Sequence, residues 1–133
     1  MNENRQEIRC PELHQPLGHY TDAVRFGNLL FVSGMMPTDI NMNLVGAGDA
    51  AAQARQIMEN IKHVLAGAGA SFADILRVVV YLTDIKDAAA ISPIRAEYFG
   101  ASKPSSTLVE VSKLVLPGMK VEIEVTVGLP QDR

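Results

Sequence analysis

Two segments in the last third of the chain alternate apolar and polar residues, and they constrain the fold more than any other feature. Residues 103–111 are rich in hydroxyls, and residues 121–125 carry Glu122 and Glu124 between apolar neighbours. A period of two residues is typical of a β-strand with one face on a core. We therefore expect two strands that place hydroxyls and carboxylates in register on one face of a sheet.

Local patterns predict further strands and a long helix. The dipeptide Gly27-Asn28 predicts a tight turn between two short strands. Asp49 is a favourable N-cap for an alanine-rich helix with an apolar stripe at helical spacing. The apolar run at residues 78–82 is typical of a central strand that is buried on both faces.

A second helix is predicted despite an internal proline. Ser92 as N-cap and Pro93 at the first helical position predict a short turn after Asp87 and then a helix to Phe99.

The predicted bounds are strands at 21–25 and 29–33, a helix at 49–66, a strand at 75–83, a helix at 93–99, and strands at 106–111 and 121–128. This order predicts an α+β sandwich with two helices on one face of a mixed sheet. Apolar residues on the other face predict that oligomerisation covers it.

Composition argues against several classes of partner. The 133 residues carry a net charge of −3, so no basic surface for nucleic acid or an anionic membrane is expected. No apolar run approaches the ~20 residues of a membrane-spanning helix.

Cys10 is the single cysteine, and it lies in a polar segment, residues 1–15, that we expect to be loosely ordered. His14, His19 and His63 lack the spacing of metal ligands, and no cofactor is expected. We predict one cytoplasmic domain over residues 1–133.

Short motifs along nearly the whole chain resemble one known family. They include Phe31-Val32-Ser33-Gly34, Tyr81-Leu82-Thr83-Asp84 and Lys103-Pro104, together with residues 17–24, 53–70 and 96–100. In this order and spacing they resemble the RidA/YjgF family of enamine and imine deaminases. The resemblance implies a chorismate-mutase-like α+β fold with a sheet of about six strands. It also implies a homotrimer with small-molecule sites in clefts between neighbouring subunits.

The resemblance also implies which residues form the site. In deaminating members a glutamate on the last strand holds the water that attacks the imine carbon, and the matching residue here is Glu122. Tyr20 matches a tyrosine of the pocket. Further ligand-binding positions implied by the resemblance are Ser33, Gly34, Ser92, Ser106, Thr107 and Leu108. Considered without the family, Glu122 is typical of an exposed strand carboxylate.

Ser106 stands where the deaminating members carry an arginine that pairs with the substrate carboxylate. A bidentate guanidinium–carboxylate pair contributes about 1–2 kcal/mol more than a neutral hydroxyl bond. We therefore expect small α-imino acids such as 2-iminopropionate to bind about tenfold more weakly, or worse. Arg25 and Arg95 are the candidate cations that could replace the missing arginine.

These expectations lead to two function hypotheses. The first is a RidA-like hydrolase that acts on an enamine, imine or related C–N compound, best without an α-carboxylate. The second is a trimeric protein that binds a small metabolite in the same clefts without turnover. A holdase role has least support, because no long exposed apolar segment is evident in the sequence.

Overall fold

A computed structural model describes residues 4–131. The strands are β1 (Arg5–Ile8), β2 (Ala23–Phe26), β3 (Leu29–Met35), β4 (Ile75–Leu82), β5 (Ser105–Glu110) and β6 (Val121–Gly128), and the helices are α1 (Ala50–Gly67) and α2 (Ala88–Phe99). The six strands form one sheet in the order β1-β2-β3-β6-β4-β5. Strands β4 and β5 pair in parallel, and the other neighbours are antiparallel.

Both helices cover the same face of this sheet. Alternate residues of β6 point toward them and are buried, namely Val121, Ile123, Val125 and Val127. Helix α1 contacts β3, β6 and α2, and Ile91 of α2 is fully buried in the same core. The predicted α+β fold, a mixed sheet with two helices on one face, is confirmed. We call the opposite face, which carries Glu122 and Glu124, the open face.

Helix α1 begins where the sequence predicts. Asp49 is its N-cap, and a side-chain oxygen of Asp49 accepts a hydrogen bond from the backbone N–H of Ala52. The predicted apolar stripe is buried against the sheet, with Ile57 and Ile61 fully enclosed. A period of 3.6 residues therefore located the buried side of α1 correctly.

Helix α2 corrects the prediction that Ser92 is an N-cap. The helix begins at Ala88, directly after a 3-10 turn at Ile85–Asp87, and Pro93 lies inside it. Asp84 caps that turn by accepting a hydrogen bond from the backbone N–H of Lys86. Proline removes one backbone donor from the helix interior. The burial of Ile91 and Ile94 on both sides of the proline offsets this loss.

The expected loose order of residues 1–15 is wrong for the described part of that segment. Residues Arg5–Ile8 pair with β2 as an antiparallel edge strand. Cys10 is buried, and its backbone N–H donates to a carboxylate oxygen of Asp22 at 2.7 Å. Burial, as the largest cause, raises the pKa of the Cys10 thiol to about 11. This thiol is therefore protonated near neutral pH.

Strand β4 corrects two further expectations. It separates β5 from β6, so the two alternating strands are not neighbours. It is also buried on only one face, since Val78 and Val80 are fully enclosed whereas Val79 and Tyr81 on the open face are half-buried. Every second residue of the apolar run therefore lies on the face of the sheet that the helices of this chain do not cover.

Candidate functional site

The register of β6 places both glutamates on the open face. Glu122 is level with Tyr81 of β4, and Glu124 is level with Val79. Neighbouring β-strand residues that are level with each other share a face, so these four side chains lie together, away from the helices. The alternation in the sequence therefore predicted the side of the sheet on which the carboxylates lie.

The carboxylate of Glu122 lies against Gly34 of β3. A Cβ atom at position 34 would stand 2.2 Å from Oε2 of Glu122, so any other residue there would displace the carboxylate. The pairing of β3 with β6 is irregular between Val32 and Met35, and this irregularity includes Ser33 and Gly34. The hydroxyl of Ser33 donates to the carbonyl oxygen of Thr21 at 2.6 Å.

Burial raises the pKa of Glu122 above its ordinary value, and the negative charge of Glu124 adds to this effect. No hydrogen bond to the Glu122 carboxylate occurs within residues 4–131. Glu124 instead accepts a hydrogen bond from the Tyr81 hydroxyl, and this bond raises the pKa of Tyr81. Of the two neighbouring carboxylates, Glu124 is therefore held by a phenol, while Glu122 is free to bind water or a ligand.

A groove of about 340 Å³ lies over the Glu122 carboxylate, and we call it the Glu122 groove. Its walls are Leu17, Tyr20, Ser33, Gly34, Met36, Val115 and Glu122. The Tyr20 hydroxyl accepts a hydrogen bond from the backbone N–H of Leu17 at 3.1 Å, which fixes the ring at the edge of the groove. A second hollow of about 460 Å³ lies along Tyr20 and Ser33 on the side of β1. The structure thus brings together four predicted site residues: Tyr20, Ser33, Gly34 and Glu122.

The structure does not bring Ser106 to this groove. Ser106 of β5 is level with Val78, which points to the helices, whereas Thr107 is level with Val79 on the open face. The expectation that all hydroxyls of this strand share a face with the carboxylates is therefore wrong for Ser106. Leu108 lies two positions further along β5, on the side of Ser106.

A second cluster of predicted site residues lies where α2 meets the edge strand β5, and we call it the α2–β5 edge. It consists of Ser92, Arg95, Ser106 and Leu108. Arg95 donates a hydrogen bond to the Ser106 hydroxyl at 2.8 Å. Ser92 lies three positions before Arg95 and therefore on the same side of the helix. Arg25, the other candidate cation, is exposed on β2 and donates to the carbonyl oxygen of Gly27.

Sequence reasoning missed four residues at this site. Leu17, Met36 and Val115 form apolar walls of the Glu122 groove, and Tyr81 holds Glu124. Tyr81 could have been found, because it is the one residue with a polar group in the apolar run of β4. Val115 lies in the loop before β6, and only the folded chain shows that this loop reaches the groove.

Metal-binding clusters and membrane-spanning helices are both absent from residues 4–131. No group of three or more His, Cys, Asp or Glu side chains in this part of the chain could hold a metal ion. None of the helices described here is long and apolar enough to cross a membrane.

Comparisons with known proteins agree on one family. A family model described as "Endoribonuclease L-PSP" matches residues 12–128. The 3-aminoacrylate deaminase RutC of Acinetobacter baylyi is 41% identical over 119 residues, which cover 89% of this chain and 94% of that protein. A RutC family protein of Pyrococcus horikoshii is 45% identical over 100 residues, or 75% of this chain and 79% of that protein.

Solved structures give the same result. RidA from the Antarctic bacterium Psychrobacter sp. PAMC 21119 superposes with a TM-score of 0.86 at 32% identity, covering 93% of this chain and 99% of that one. E. coli TdcF, solved with bound serine, superposes with a TM-score of 0.85 at 28% identity, covering 94% of this chain and 99% of that one. The sequence motifs, the six-stranded fold and these relatives together show that the chain belongs to the RidA/YjgF family.

Proposed function

We propose that this protein hydrolyses the C–N bond of an enamine, imine or related compound, with Glu122 as the catalytic carboxylate. The observation that carries the proposal is the environment of the Glu122 carboxyl. This carboxyl is half-buried, lies against Gly34, faces a groove and has a raised pKa. A carboxyl with a raised pKa exchanges protons closer to neutral pH than an ordinary one does. The RutC relative, whose name describes deamination of 3-aminoacrylate, supports a deaminase-type role.

The proposed reaction consumes one water and releases ammonia. Glu122 accepts a proton from the water while the water oxygen bonds to the carbon of the protonated imine and the C=N bond becomes single. The resulting carbinolamine receives that proton on nitrogen, the C–N bond breaks, and ammonia leaves. Loss of the hydroxyl proton then gives the carbonyl product. Tyr20 orients the ligand at the edge of the groove, next to Ser33.

We propose that small α-imino acids are poor substrates because Ser106 cannot clamp a carboxylate with two parallel hydrogen bonds. A ligand that carries no carboxylate on the reacting carbon fits better. Leu17, Met36 and Val115 add apolar walls that favour a ligand with an apolar portion.

An endoribonuclease role, which the family description names, has less support here. RNA is a polyanion, and both the net charge of −3 and the Glu122 carboxylate in the wall of the groove disfavour its binding.

We propose that the complete site forms in a cytoplasmic homotrimer. Apolar side chains on the open face support this assembly, since Phe31, Leu76 and Val109 are 48%, 52% and 38% exposed. The Glu122 groove and the α2–β5 edge are separate surfaces of one chain. In the proposed trimer, the α2–β5 edge of one subunit closes the Glu122 groove of its neighbour, with Ser92, Ser106 and Leu108 lining the ligand from this edge and Thr107 lining it from the open face of β5. Light scattering that gives the mass of a monomer would contradict this assembly.

Hydrolysis is tested by generating enamines in solution and following the release of ammonia. We expect turnover of 3-aminoacrylate, and little acceleration of 2-aminoacrylate breakdown to pyruvate. Glu122→Gln should abolish turnover, and Ser106→Arg should raise the pyruvate rate by about tenfold. Turnover that survives Glu122→Gln would eliminate the proposed role. Saturable binding of these ligands without any release of ammonia would instead support the alternative, a metabolite-binding trimer without catalysis.

A further inference from the structure

Arg95 is the one arginine of residues 4–131 that is half-buried and has no carboxylate partner. Its guanidinium extends from α2 to the β5 edge and donates to Ser106 Oγ at 2.8 Å. The residue is half-buried, and this burial lowers the pKa of its guanidinium below the ordinary value. The guanidinium remains charged at neutral pH all the same.

No carboxylate in residues 4–131 forms an ion pair with Arg95. In contrast, Arg5, Arg9 and Arg55 each pair with a carboxylate, and Arg25 and Arg77 are exposed to water. A guanidinium has five N–H donors, and the one hydrogen bond to Ser106 leaves the others without a protein acceptor in this part of the chain. The contact between Arg95 and Ser106 is exposed, so an anion that arrives from solvent can reach the remaining donors.

We infer that Arg95 and Ser106 together bind the carboxylate of the ligand, and that this carboxylate is separated from the reacting C–N carbon by at least one further carbon. This inference rests on the proposed function, because it takes the α2–β5 edge to face the Glu122 groove of a neighbouring subunit. In the proposed trimer, the same contact also sets the length of the ligand. An anion that contacts both Ser106 Oγ and Arg95 lies close to β5, because a serine side chain is much shorter than an arginine at the same position. That anion is therefore farther from the facing Glu122, and the ligand must be longer.

Ligand binding without turnover tests the inference. The probes are levulinate, its neutral methyl ester, and pyruvate, whose carboxylate is attached directly to the carbonyl carbon. NMR titration of the wild-type protein should show levulinate binding more tightly than either of the other two. In Arg95→Met the levulinate Kd should rise about tenfold or more, to that of the ester, whose own Kd should not change. Arg95→Lys should restore part of the affinity, because it keeps the charge but loses the planar guanidinium.

Arg25→Met is the matched control, since it removes the same charge from an exposed position and should leave all three Kd values unchanged. Levulinate affinity that survives Arg95→Met, or equal affinities for acid and ester in the wild type, would overturn the inference. Dissociation of the oligomer in Arg95→Met would overturn it too, because Arg95 would then pair with a carboxylate of the neighbouring chain. Levulinate binding requires no turnover, so Arg95-dependent levulinate binding in a protein that releases no ammonia from enamines would mean that the proposed hydrolysis fails while the carboxylate site stands.

Discussion

Substitution of Gly34 by alanine tests how closely the position of Glu122 depends on a glycine. The added Cβ would lie 2.2 Å from Oε2 of Glu122, 3.0 Å from its Cδ and 3.3 Å from its Cγ. Nonbonded heavy atoms normally stay about 3.5 Å apart, so the carboxylate must move by about 1 Å. The atoms in the way belong to the end of a flexible side chain. We therefore expect Gly34→Ala to lower the free energy of unfolding by only about 1 kcal/mol.

The consequences for chemistry should be larger than those for stability. A displacement of about 1 Å in a reacting group can reduce turnover by about 100-fold. The displaced carboxylate also gains contact with water, so its pKa should fall toward the ordinary value. Urea unfolding measures the stability change, and NMR titration measures the pKa. Gly67→Ala at the end of α1 is the control, because a Cβ there meets nothing within 4 Å. If Gly34→Ala kept the turnover and the Glu122 pKa of that control, the reasoning would be refuted.

Three further predictions follow from the same contacts. The raised pKa of Glu122 means that the folded state binds this proton more tightly than the unfolded chain does. Its contribution to stability is therefore full in acid and is lost as pH rises through the raised pKa, and Glu122→Gln should flatten that slope in unfolding experiments at several pH values. Tyr81→Phe leaves Glu124 without its hydrogen bond, so we expect a loss of about 1–2 kcal/mol in the free energy of unfolding, measured in urea. Gln53 is fully buried and makes three hydrogen bonds to the backbone of two loops, so Gln53→Ala should cost about 2–4 kcal/mol in urea unfolding. A loss below about 1 kcal/mol would show that water replaces those bonds.

The sequence was most informative where structure depends on near neighbours in the chain. The cap at Asp49 and the apolar stripe of α1 are set within single turns, and both were predicted correctly. The alternation around Glu122 likewise fixed the face of β6, because a strand places successive side chains on opposite sides. Pro93 shows the limit of such rules. Proline favours the first position of a helix, but Pro93 lies inside α2, because the helix extends back to Ala88 and buries Ile91 and Ile94. That burial depends on the sheet against which α2 packs.

By itself, the sequence determined the family, the fold class and the identity of Glu122 as the candidate catalytic carboxylate. Only the tertiary structure decided how the candidate residues are grouped. Strand β4 inserts between β5 and β6, and the parallel register of β4 and β5 directs Ser106 toward the helices. The same register brings Ser106 to Arg95 of α2, and not to Glu122. Pairing between distant strands depends on the packing of the whole core, and no local pattern in the sequence specifies it.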